Sequence, residues 1–309
     1  MAQEADLEEA GAAGVEMQPG ARGMEEIGPT PARSKGVVVF LALTFGLTWL
    51  WLLFARQGLG LTAVNPLLQL PYALGPGIVA VVVRRWVTKE GFADAGLRLR
   101  LRKAWPYWII AWLGPLGIAA ASVALAAALG LWEPDLAPLG EVLSGLPGWA
   151  AVAALLLVVP VLTPLYCGEE FGWTSYLRPR LFGGRTVPSV LATGLIWALW
   201  HFPLAFIGYV EFRDRAVGLA AWTVSFLVQE VLLWWLYRRS GSVWVASLAH
   251  SGNNMVLFLL VGQLLGSPGA GLSDLATTVL PTLAMAPLAV LCLLDRSPRL
   301  DRSRRARAS

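Results

Sequence analysis

Six side chains stand out because their chemistry does not suit the apolar stretches that carry them: Glu169, Glu170, His201, Glu230, His250 and Asn254. They include both histidines of the chain. Ionisable groups in such surroundings are costly and by default mark function. A carboxylate beside an imidazole can take a proton from water and give it back. His250 and Asn254 are four residues apart, so on a helix they share one face. Glu169 and Glu170 are adjacent, about 100° apart around a helix, so only one is expected to face the same point as the histidines. The same set suits zinc, with His201, His250 and Glu169 as three ligands and an open position for water. The HExxH spacing, which would place two ligands and a base on one helix, is absent. Taken singly, either histidine fits a plain interhelical hydrogen bond, and Glu230 fits a packing contact as well as a site residue. Cys167 and Cys292 read as small apolar fillers, since no base adjoins them in sequence.

The elements that carry these groups follow from composition. Of 309 residues, 56% are hydrophobic and 14% charged, against about 25% charge in a soluble domain, which excludes an ordinary cytosolic enzyme. Eight apolar stretches, at about 37–55, 63–83, 105–130, 149–168, 188–207, 216–237, 243–262 and 275–294, are each long enough to cross a hydrocarbon core ~30 Å thick. Prolines interrupt the second (Pro66, Pro71, Pro76) and the eighth (Pro281, Pro287). Of the 24 basic residues, 20 cluster at 33–35, 84–103, 178–185, 238–239 and the C-terminal tail, and the alternate loops hold only Arg56, Arg213 and Arg215. By the positive-inside rule this predicts an all-α integral membrane protein, a bundle of about eight transmembrane helices with both termini cytoplasmic. The net charge of +4 then reflects topology and anionic lipids at the basic cytoplasmic loops, with no nucleic acid as partner. The acidic segment 1–35 is too poor in large apolar groups to form a core and is expected to be disordered. The bundle occupies 36–294, and a basic tail follows at 295–309. Counting helical rise from the cytoplasmic ends puts Glu169, His250 and His201 at roughly 13, 17 and 20 Å depth, so three spans converge. Pro160 and Pro164 before the acids, and Pro203 after His201, are expected to free backbone carbonyls and open room for water beside the site.

Three blocks carry a resemblance: GEEFGWTSYLRPRL at 168–181, WALWHFPL at 197–204 and SLAHSGNN at 247–254. In this order they resemble the signature of the CPBP family of intramembrane proteases. That family includes the Rce1-type CAAX prenyl endopeptidases and bacterial abortive-infection and bacteriocin self-immunity proteins. The resemblance spans about 150–262. It implies peptide-bond hydrolysis within the membrane. Glu169, with His201 beside it, would activate a water; His250 and Asn254 would donate to the oxyanion; Glu170 would orient the site or His201. Family members are commonly called metalloproteases, which keeps the zinc reading open, though the glutamate route is favoured. Trp197 stands where Phe is usual, and Thr174 where Arg is usual. Arg178, eight residues from Glu170 and roughly 12 Å along a helix axis, is expected to lie too far away to replace that Arg directly. The departure at Thr174 leaves a catalytically inactive membrane scaffold as the alternative. A small transporter is less favoured, because no inverted internal repeat is visible. The implied substrate is a membrane-embedded or lipid-anchored peptide or protein, and the Ala- and Arg-rich composition suggests a bacterial plasma membrane.

Overall fold

The computed structural model describes residues 31–142, 146–266 and 271–297. Of the two expected tails, 1–30 and 298–309 lie outside the described residues. Among the described residues there is no strand, and eight helices are long and apolar enough to cross a membrane. They are Ser34–Gly58, Pro66–Val87, Leu101–Ala128, Gly148–Arg180, Thr186–Phe206, Arg215–Ser240, Val243–Leu265 and Asp274–Leu294, called here the first to eighth spans. The protein is thus an all-α, multi-pass bundle.

Local chemistry sets several boundaries. Pro66 does not interrupt the second span but starts it, with the Asn65 side chain accepting from Leu67 N–H. Asp214 caps the sixth span by accepting from Val217 N–H. Gly241, at φ +67°, ends it in the left-handed conformation that glycine tolerates best. The fourth span runs twelve residues past its expected end at 168, to Arg180. Glu170 leads directly into a π-helical stretch, Phe171–Leu177, followed by a 3-10 turn, Arg178–Arg180. All seven residues of the π stretch are buried.

The seventh span is the axis of the bundle: 72% of its apolar stretch is buried, against at most 50% in any other span. It packs against the third and fourth spans, the sixth packs between the fifth and eighth, and the second lies between the first and fourth. The contact between the second and fourth spans is backbone on backbone. A Cβ added to Gly77 would lie 2.6 Å from the Gly168 carbonyl oxygen, and one added to Gly172 would lie 2.5 Å from Pro76 Cβ. Gly168 and Gly172 form a GxxxG pair, the spacing that lets membrane helices approach closely. The acid pair sits between them in sequence, so the glycine face meets the second span and the carboxylates turn into the bundle.

Near Pro160 and Pro203, indole and phenol groups supply donors to carbonyls that the prolines leave without an N–H. Pro160 has no N–H for the Leu156 carbonyl, which accepts instead from Trp112 Nε1 of the third span (2.8 Å). Beyond His201 the fifth span tightens into a 3-10 turn, Phe202–Phe206, where the i+3 partner of the Trp200 carbonyl would be Pro203. That carbonyl accepts from the Tyr72 hydroxyl (2.7 Å) and Trp49 Nε1 (3.1 Å). Trp200 also stacks on Tyr72 at 3.9 Å and donates through Nε1 to Thr48 Oγ1. Two neighbouring spans are thereby fastened to the residue that precedes His201.

Candidate active site

The acid pair lies at the end of the α-helical part of the fourth span, and both carboxyl groups are buried. Glu170 Oε1 is 3.0 Å from His250 Nδ1, which bridges the fourth and seventh spans. Glu169 Oε2 accepts from Trp197 Nε1–H of the fifth span at 2.8 Å. The Trp197 indole is the hub of the site. Its ring centroid is 5.1 Å from that of His250 and 5.7 Å from that of His201. His201 Nδ1 lies 2.9 Å from the Trp197 carbonyl. A carbonyl only accepts, so Nδ1 donates and His201 keeps Nε2 for other work. Phe226, Trp200 and Trp222 wall the His201 ring at centroid distances of 4.5, 4.8 and 5.9 Å. Tyr166, one turn before Glu170, places its ring 4.9 Å from His250.

A polar chain backs the acid pair. Thr174 Oγ1 donates to Glu170 Oε2 at 2.6 Å. Arg178 Nη1 donates to Thr174 Oγ1 at 3.1 Å and to Glu230 Oε1 of the sixth span at 2.6 Å. Arg178 and Glu230 are a fully buried ion pair, 5% and 1% exposed.

The structure brings Glu169, Glu170, His201 and His250 around one indole, and departs from three expectations. The acids do not divide into one facing and one averted: each engages the site through a different donor, Trp197 or His250. Glu170 orients the site through His250, one of the two roles the resemblance implied for it, and Glu169 is held by Trp197, with no hydrogen bond to His201 among the described residues. Which imidazole meets which carboxylate depends on how three spans pack, and spacing along one helix does not carry that. Asn254 stays one turn from His250, as its spacing predicts. It lies in a second π-helical stretch, Asn253–Phe258, and its Nδ2 donates back to the His250 carbonyl at 3.4 Å. Finally, Arg178 is one hydroxyl away from Glu170, because Thr174 bridges the gap and Glu230 draws the guanidinium inward. π-helical stretches follow both motif ends, and such widened turns recur at functional sites.

The zinc reading was tested on the same geometry. Among the described residues no group of three or more His, Cys, Asp or Glu is placed to hold a metal ion. His250 and His201 each turn Nδ1 to another partner and keep Nε2 as a ligand atom, but no third ligand stands with them among the described residues. The residues do not fit the three-ligand site expected of His201, His250 and Glu169.

Sequence reasoning missed Trp197 as a hydrogen-bond donor and the path from Thr174 through Arg178 to Glu230. Signals existed for both. Trp in place of Phe adds an N–H, and Glu170, Thr174 and Arg178 recur at four-residue spacing.

Residues 146–256 match the family described as Type II CAAX prenyl endopeptidase Rce1-like. This segment resembles that family. The match contains all three motif blocks and every residue gathered around Trp197 from the fourth, fifth and seventh spans. The Rce1-like segment leaves out the first three spans, whose Thr48, Trp49 and Tyr72 nonetheless hold Trp200 in place. No curated protein matches the chain.

Proposed function

We propose that the chain is an intramembrane endopeptidase that hydrolyses a peptide bond with water activated by Glu169. The substrate is a membrane-embedded or lipid-anchored peptide or protein. The observation that carries this reading is the buried pair of carboxylates, one held by an indole N–H and the other by an imidazole, inside an Rce1-like segment. As base, Glu169 takes a proton from water while the oxygen bonds to the scissile carbonyl carbon. Trp197 N–H occupies one oxygen of Glu169 and leaves Oε1 to meet the water. His201, with Nδ1 tied to the Trp197 carbonyl, offers Nε2 as a second hold on that water. The oxyanion is met by His250 Nε2, which donates when the ring carries both protons, and by the second N–H of the Asn254 amide. The C–N bond then breaks as Glu169 returns its proton to the leaving nitrogen, giving a carboxylic acid and an amine. No step is routed through zinc.

Glu170 touches neither water nor substrate in this scheme and positions His250. The basic loops meet anionic lipid headgroups, both termini are cytoplasmic, and the cell membrane concerned is a bacterial plasma membrane. The scaffold alternative drew on the missing Arg at 174, and the path from Arg178 through Thr174 weakens that ground.

The test is cleavage of a fluorogenic, membrane-associated peptide library by purified protein in liposomes. Cleavage by the wild type that disappears in Glu169→Ala and in His201→Ala supports the protease. Failure of the folded wild type to cut a library that an active relative cuts would transfer the assignment to the scaffold.

A further inference from the structure

The hydrogen-bond chain behind the acid pair has a direction, and donor–acceptor accounting fixes it. Arg178 has only protons to give. Its Nη1 donates to both Glu230 Oε1 and Thr174 Oγ1. Thr174 has a single hydroxyl proton, and with its oxygen already accepting from Arg178 that proton goes to Glu170 Oε2 at 2.6 Å. Glu170 is therefore an acceptor on the Thr174 side. Its other oxygen lies 3.0 Å from His250 Nδ1, and an ionised carboxylate can only accept there. In a neutral imidazole the nitrogen that bears the proton is decided by the partner of its neighbour. Glu230 anchors the far end. Without its carboxylate the Arg178 guanidinium would be a buried, unpaired charge, and one of its nitrogens, Nη2, already has no partner.

We propose that Arg178, acting through Thr174 and Glu170, sets the tautomer of His250, so that a singly protonated His250 bears its proton on Nδ1 and meets the substrate through Nε2. Arg178 and Thr174 are positioning residues in this account, and Glu230 is their counter-anchor. The inference rests on the protease reading only for its consequence, since the tautomer exists without substrate. It also gives Thr174 a function that its difference from the usual Arg had obscured. The positive charge lies one turn further along the fourth span, and the hydroxyl carries its influence back.

The chain has only two histidines, so a sample labelled with ¹⁵N at histidine gives two sets of ring signals, which a His201→Asn sample assigns. The full-length protein in liposomes is taken to a pH at which each ring holds one proton. The expected wild-type spectrum has His250 Nδ1 protonated and Nε2 bare. Thr174→Val keeps the shape but cuts the chain, and should convert this to a mixture of both tautomers; Thr174→Ser keeps the hydroxyl and should restore the wild-type spectrum. Arg178→Met alone can misfold by stranding Glu230, so it is paired with Glu230→Leu, which replaces the ion pair with apolar side chains. That double variant should match Thr174→Val. A wild-type His250 protonated on Nε2, or a Thr174→Val spectrum identical to wild type, would overturn the proposal. A tautomer that shifts as described in a protein that cleaves nothing would sustain the proposal and remove the protease instead.

Discussion

Replacing Trp197 by Phe removes one atom pair of known geometry from the site. The indole N–H donates to Glu169 Oε2 at 2.8 Å. Phe keeps an aromatic ring facing Phe226 (4.6 Å) and His250 (5.1 Å) but has nothing to donate. A hydrogen bond to a charged group is worth about 1.5–3 kcal/mol net. If that bond aims Glu169 at the water, its loss raises the barrier by up to the same amount, and each ~1.4 kcal/mol is a factor of ten. The expected fall in kcat is therefore about 10- to 150-fold. KM should change little, because Glu169 meets the water rather than the substrate's flanking residues. The assay is cleavage of a single peptide from the library in liposomes, with kcat and KM measured separately and thermal unfolding followed in parallel. Trp197→Phe that folds as well as wild type and cleaves at the wild-type rate would refute the argument. The base would then be aimed by something other than the indole.

Other outcomes follow from the packing and from the choice of water activation. Gly77→Ala would put a Cβ 2.6 Å from the Gly168 carbonyl and should destabilise by about 1–3 kcal/mol. Gly46→Ala, with nothing within 4 Å, should leave the unfolding midpoint in detergent unchanged. A strong divalent-metal chelator should leave cleavage intact; inactivation reversed by added zinc would contradict the glutamate route. Alkylation of Cys167, which is buried, and of Cys292 should not inhibit, and the double Cys→Ala variant should cleave like wild type.

The sequence by itself determined the class of protein and pointed to the residues of the candidate site. Apolar length and loop charge were enough for eight spans, because a helix must be about twenty residues long to cross hydrocarbon and must satisfy its own backbone. Two histidines and an acid pair, all in apolar stretches, named the site because such groups are too costly to leave there without partners. Boundaries failed where the backbone departed from the α-helix: the fourth span carried on to Arg180 through a π stretch that periodicity does not reveal. The tertiary structure alone decided the pairings. Glu170 meets His250, Glu169 meets Trp197, and Arg178 turns to Glu230, because rotation and approach of the spans are set by long-range contacts such as Gly77 on Gly168. Sequence spacing describes neighbours along one helix and is silent about which face of a second helix arrives opposite. A polar arrangement drawn from several spans is therefore fixed only when they pack.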